Sequence, residues 1–228
     1  MRRLLTSRTF VLAGAVLVVL YLAGVPLLML LYGSVRSARV GDPAAVFTLQ
    51  NYAKAYLDKE FYRLLLNSVY FSLGTCGMSL VIGTYLAWLA ERTNTPLRHA
   101  FVVMALIPFI IPGVLSTIAW ILLLSPKIGL INLGLQRLLD LDAAPFNIYS
   151  MWGMIWVESI HLYPLVFLLM SAALRNMDTS LEEAALTSGS SAFATFRHIT
   201  FPLMRPAAFG VSLIVFVRGI EAFEVPAL

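Results

Sequence analysis

Three stretches of this chain run without Asp, Glu, Lys or Arg over lengths that reach across a bilayer: residues 9–35, 64–90 and 99–126. A spanning helix needs about 20 mostly apolar residues, because in hydrocarbon only a continuous helix satisfies its own backbone donors and acceptors. Two further runs are less uniform. Residues 148–174 contain Glu158 and His161, and residues 201–217 carry Arg205 near their start, where a long side chain can snorkel to the interface. The pattern predicts five spans in an all-α polytopic bundle. Composition excludes the alternatives: 60% of residues are hydrophobic and 12% charged, whereas a soluble domain carries roughly 25% charge to coat its surface. A disordered chain is excluded on the same ground, and a disulfide scaffold because Cys76 has no partner.

Arg2 and Arg3 ahead of an apolar run could mark a secretory signal. The run exceeds the roughly 7–15 residues of a signal core and offers no convincing small-residue cleavage site, so it reads as a retained anchor. Basic residues divide almost evenly between the two sides of the five spans. The inner loops are shorter, however, and the N-terminal tail holds Arg2, Arg3 and Arg8 without an acid, which favours a cytoplasmic N-terminus. No basic run interleaved with aromatics occurs, so nothing points to nucleic acid.

Helix breakers lie inside the spans. Pro108 and Pro112, the latter followed by Gly113, fall in the third, and Pro164 in the fourth. Each removes a backbone donor and crowds the preceding turn, so breaks or kinks are expected at all three. Freed carbonyls at depth are tolerated where protein or water satisfies them, as at transporter sites. Proline is also common in membrane helices generally, and the feature alone does not separate the two readings.

The segment from Asp178 to Pro202 reads as two short helices meeting at Gly189. Ser180 and Glu183 have capping-box spacing, Ala184 and Ala185 give a slim and strongly helical turn, and Gly189 suits the left-handed residue that ends a helix. Ser190 or Ser191 can cap the second helix. Phe193, Phe196 and Ile199 recur at three-residue spacing as an apolar stripe, and Pro202 suits the first turn of the fifth span. Such a stripe needs cover, either from the lipid headgroup layer or from a groove on a partner protein.

Glu183-Ala184-Ala185, three residues, Gly189, nine residues, Ile199, one residue, a hydrophobe and Pro202 resembles the EAA loop of binding-protein-dependent ABC transporter permeases, with Phe201 where the family usually has Leu. Phe47 to Tyr52 ahead of Asn67-Ser68 is similar to the lead-in to that family's permease domain, and Glu91 to Arg98 resembles its second inner loop. The resemblance runs from about residue 47 to the end. It implies an N-terminal anchor span with a periplasmic segment (residues 1–63) and a type-1 permease domain (residues 64–228) of the type-I ABC importer fold, in the bacterial cytoplasmic (inner) membrane. Family members continue with at least one more span, so the chain is expected to be truncated after the fifth.

The partners implied are an ABC ATPase subunit, an extracytoplasmic solute-binding protein, a second permease half and membrane lipid. Glu182, Glu183, Ala184, Ala185, Gly189, Ile199 and Pro202 would form the ATPase-coupling loop, with Glu183 in polar contact, the alanines allowing close approach and Gly189 making the turn. No Gly-x-x-x-x-Gly-Lys-Ser/Thr occurs, so hydrolysis is expected in the partner; the chain is not itself an enzyme and needs no cofactor.

Arg218-Gly-Ile-Glu221-Ala-Phe-Glu224-Val-Pro226 and the stretch from Leu106 to Gly113 resemble permeases of the iron(III), polyamine and thiamine type, iron(III) first. Arg218, Glu221 and Glu224, three apart, share a helical face. They either border a cation path or sit solvated at the outer interface. Glu158 and His161, also three apart, form either a pathway pair or a satisfied interhelical contact. No His, Cys or Asp cluster has metal-ligand spacing, which puts any iron site on a binding protein. An alternative is a secondary transporter or channel that couples ions through Glu158 and Glu221.

Overall fold

The computed structural model describes residues 2–38 and 42–227, with side chains from residue 9 onward. The side chains of Arg2, Arg3 and Arg8, on which the orientation argument leans, lie outside the described residues. Among the described residues the fold is all-α, and its one β feature is an isolated bridge between Arg36 and Phe47. The chain divides into two compact units, Met1–Leu65 and Leu66–Leu228.

The first unit holds α1 (Arg2–Ser34) and α2 (Gln50–Leu57). The apolar window of α1 is 0% buried, and a helix apolar all round must face lipid or another protein. Its C-terminal end is fastened locally. Asn51 donates its Nδ2–H to the carbonyls of Ser34 (3.0 Å) and Arg36 (2.8 Å), and the Arg36 guanidinium sits over the rings of Tyr32 and Phe47.

Most of α3 (Lys59–Arg92) belongs to the second unit, followed by α4 (Arg98–Ile110), α5 (Gly113–Leu124), α6 (Leu130–Leu139) and α7 (Met151–Arg175). Then come α8 (Ser180–Thr187), α9 (Ala192–Thr195), one wide π-helical turn (Phe196–Thr200), α10 (Phe201–Glu221) and α11 (Glu224–Ala227). Among the described residues four apolar helices, or five with the α4–α5 pair taken as one span, are long enough to cross a membrane.

Packing in this unit starts from small residues. Ser72, Thr75, Ser79, Gly83, Ala87 and Ala90 recur every three or four positions along α3 and are buried. Small side chains let helix backbones approach, which in lipid replaces the hydrophobic drive that water supplies. Against this face pack Leu162, Val166, Phe167, Met170 and Leu174 of α7 and Met204, Val211 and Val215 of α10. Hydroxyls cross the same seam: Ser79 donates to the Ser159 carbonyl and Ser159 to that of Thr75, each at 3.4 Å. Such bonds are worth on the order of 0.6 kcal/mol each.

The break expected among the prolines of the third apolar run falls at the second of them, where α4 and α5 meet at 99° across Ile111 and Pro112. Pro108 and Pro164, also expected as breaks or kinks, lie inside helices. An interior proline costs about 3 kcal/mol, which packing can offset; Pro164 is fully buried, whereas Pro112 is exposed and adjoins Gly113. The fifth span also begins earlier than expected, since helical structure is already present from Ala192.

A Cβ on Gly83 would lie 2.6 Å from the Val166 Cβ and 2.8 Å from the Tyr163 carbonyl, whereas one on Gly77 meets nothing within 4 Å. We expect Gly83→Ala to cost roughly 1–3 kcal/mol by overpacking. Gly77→Ala, freed of that clash, should be neutral or stabilising by up to about 1 kcal/mol through helix propensity. Thermal melts of the two purified variants in one detergent check the contrast.

Candidate functional site

The Asp178–Pro202 segment is built by local rules. Asp178 Oδ1 accepts the Ser180 N–H at 3.0 Å, and hydrogen bonds from the Ser180 backbone and side chain hold the Asp178 carboxyl below its ordinary range. A carboxyl lowered in this way favours its charged form, so the bond is present at neutral pH and is lost only as pH falls through the acidic range. Thr179, not Ser180, is the N-cap of α8, and its hydroxyl donates to Glu183 Oε1 at 2.9 Å. The Ser180–Glu183 capping box does not form because Ser180 is already the first helical residue and Asp178 takes its N–H.

Gly189 ends α8 with φ +89°. Its N–H bonds the Leu186 carbonyl and that of Ser190 the Ala185 carbonyl, both at 3.0 Å, a Schellman closure. Ser191 caps α9 by accepting the Ala194 N–H at 3.2 Å. Glu183 and Ala184 are exposed, Ala185 and Ile199 half-buried, and Pro202 half-buried in the first turn of α10. Leu181 (56%) and Phe193 (68%) add exposed apolar surface.

Glu182 points the other way. It is 6% exposed, with Oε2 2.7 Å from Arg92 Nε, and its other oxygen accepts the Thr200 hydroxyl. The Nε contact is an ion pair by charge and distance without hydrogen-bond alignment. Next to Arg92, Glu91 pairs with Arg98 at 2.5 Å and Arg175 at 2.8 Å. The C-terminal ends of α3 and α7 and the N-terminal end of α4 therefore meet at the same end of the bundle as α8. Sequence reasoning missed this network, because Arg92 and Glu182 lie ninety positions apart.

The remaining candidates converge on a cavity of about 500 Å³ at the α4–α5 break. Phe109 reaches it from α4, Glu158, His161 and Leu165 from α7, Arg218 and Glu221 from the end of α10, and Glu224 from α11. Glu158 is 7% exposed. Among the described residues no ion pair involves Glu158, Arg218, Glu221 or Glu224, so the spacing of Arg218 and Glu221 does not become a contact. His161 Nδ1 is buried without a hydrogen-bond partner among them. Among the described residues no group of three or more His, Cys, Asp and Glu is arranged to hold a metal ion. Three carboxyl groups and one guanidinium border the cavity.

The described residues thus form an apolar helix bundle with a break at α4–α5, a charge-lined cavity at that break and an exposed glycine-closed loop at one end. The chain belongs to the family of binding-protein-dependent transport system inner membrane components, whose model matches residues 79–228. It is 27% identical over 183 residues to the trehalose/maltose transport system permease protein MalF of Thermococcus litoralis, covering 78% of this chain and 60% of that protein. It is also 27% identical over 203 residues to the Fe(3+)-transport system permease protein FbpB 2 of Haemophilus influenzae, covering 89% of this chain and 35% of that one. The chain thus spans between about a third and three fifths of these relatives. Its fold is similar to that in the crystal structure of a bacterial alginate ABC transporter in complex with an alginate pentasaccharide-bound periplasmic protein, with TM-score 0.70 at 16% identity over 94% of this chain and 72% of that one.

Glu224 is seated on Gly113 at the start of α5, where a Cβ would overlap Glu224 Oε2. We expect Gly113→Ala to cost less than about 1 kcal/mol, since the atom it displaces is the tip of the exposed, flexible Glu224 side chain and not packed core, so that the coupling of the two sites is small. With Glu224→Ala already present, the same change should cost little. A double-mutant cycle on thermal midpoints in detergent measures the coupling.

Proposed function

We propose that this chain is the transmembrane subunit of an ATP-driven importer, forming the solute path and docking a separate ATPase through the Asp178–Pro202 loop. The observation that carries this reading is the division of α8 into two sides. Glu183 and Ala184 stand exposed beside Leu181, while Glu182 ties the helix to the bundle. An exposed slim helix with a fixed end suits a partner's cleft better than the headgroup layer, which would draw the whole stripe flat. In this reading ATP hydrolysis belongs to the partner, a solute-binding protein delivers cargo from outside, and a second permease half completes the path. The N-terminus is cytoplasmic. Residues 1–63 form the anchor and periplasmic segment and residues 64–228 the permease domain, which the family match from residue 79 supports.

For the solute we propose a cation, iron(III) first and a polyamine or thiamine next. Support comes from the excess of carboxylates in the cavity and from the likeness to a ferric permease, although a sugar permease is equally similar. Glu158, His161, Arg218, Glu221 and Glu224 line the path in this reading. Neutralising Glu158 and Glu221 together, as Glu158→Gln and Glu221→Gln, should lower ferric uptake into proteoliposomes at least tenfold while ATP hydrolysis continues. Uptake driven by a proton gradient without ATP would instead favour a secondary transporter.

The docking role has its own test. Proline fixes φ near −65°, and Gly189 needs +89°, so Gly189→Pro must reorganise the end of α8. We expect it to abolish co-purification of the ATPase while membrane insertion is unchanged. An ATPase that still co-purified would refute docking through this loop.

A further inference from the structure

We infer that Arg92 and Glu182 form a transmission latch: a buried ion pair that makes the loop move as one body with the bundle instead of pivoting on its own tethers. The inference rests on the reading that the ATPase grips the outer side of α8.

The loop is joined to the bundle by short segments, residues 176–179 before α8 and 188–191 between α8 and α9. Force applied to an eight-residue helix held only by such tethers would rotate the helix and be lost. The side chains on its inner surface close that freedom. Glu182 and Arg92 keep 8% and 14% of their side-chain surface, so the pair is out of water, where an ion pair is directional and costly to break. The same guanidinium donates Nη2–H to the Leu174 carbonyl at 2.6 Å and approaches that of Met177 at 3.4 Å. The Leu174 carbonyl lies in the last turn of α7, where it also accepts the Met177 N–H at 3.3 Å, and Met177 follows that helix; the negative end of the helix favours a cation there.

One side chain from the last turn of α3 therefore holds α7 and α8 together. Glu182 extends the connection further by accepting from Thr200, at the end of the π-helical turn that runs directly into α10. Trp88, one turn before Arg92, packs on Phe196 of that turn with ring centroids 5.3 Å apart. Consecutive glutamates thus divide the work: Glu183 is left for the partner, and Glu182 is a positioning residue that passes displacement to three spans. Glu91 fastens α4 to the same point through Arg98 and is the reason the fourth helix follows.

The test measures relative motion in the assembled transporter with its ATPase subunit, in a Cys76→Ala background. Spin labels go at the exposed Thr187 of α8 and Phe209 of α10, and a control pair at the exposed Val81 of α3 and Leu168 of α7. In Arg92→Gln and in Glu182→Gln the Thr187–Phe209 distance distribution should broaden at least twofold, the control pair stay narrow and the ATPase stay bound. The charge swap, Arg92→Glu with Glu182→Arg, should narrow it again. A wild-type width in either single variant, broadening of the control pair, loss of the ATPase, or a swap that fails to restore would each overturn the latch. Failure of the docking reading has a different signature: the ATPase is then absent from the unmutated transporter, and the distances still report on the latch.

Discussion

The close approach of α3 to α7 and α10 is the constraint on which the rest of the second unit depends. In hydrocarbon a leucine gains nothing by leaving lipid for protein, so helices adhere only where their surfaces touch over a long seam. Ser72, Thr75, Ser79, Gly83, Ala87 and Ala90 provide that seam by having almost no side chain to keep the backbones apart. The large residues, Phe167, Met170 and Leu174, are then placed opposite them. Because the seam runs along most of α3, it fixes α7 end to end, and with α7 both Glu158 at the cavity and Arg175 at the ion-pair cluster. The cavity and the Asp178–Pro202 segment lie at different levels of one frame.

What was legible in the sequence was whatever is decided within a turn or two. Two of the three charge-free runs fell where long helices form and the third where a bent pair does, because the bilayer's demand for internal hydrogen bonding acts on every residue alike. Gly189 was readable as a helix end, since a left-handed residue after an alanine-rich turn is settled by the backbone alone. Prolines were legible only in part. Pro108, Pro112 and Pro164 all lack the donor, but a helix breaks only where surroundings do not carry it past the gap. Pro164 is fully buried; Pro112 has a glycine next to it and a carboxylate, Glu224, arriving from residues that follow α10. That arrival is tertiary and leaves no local trace.

The candidate site shows the same division. Three-residue spacing put Arg218, Glu221 and Glu224 on one helical face, yet α10 ends at Glu221 and Glu224 opens α11; neither that spacing nor the spacing of Glu158 and His161 could tell that these residues meet at one break. Nor could spacing tell that Glu182 and Glu183, neighbours in sequence and identical in chemistry, turn opposite ways. Helical geometry separates adjacent side chains by about 100°. Which of them turns inward is decided by Arg92, and Arg92 was readable only as the charge that ends the second span.

This distribution of charge follows from cost. A carboxylate at membrane depth is expensive unless something pays in function or pairing. At the end of the bundle that carries α8 the chain pairs its charges: Glu91 with two arginines, Glu182 with one and a hydroxyl. At the α4–α5 break it leaves them unpaired and facing a common space. The contrast separates two kinds of site in one frame. Paired charges hold a single geometry and so carry displacement, whereas unpaired charges around a void hold no geometry and so can receive and release a passing solute. A permease driven from one end needs the first kind where force enters and the second where the cargo moves, with a stiff seam of small residues between them.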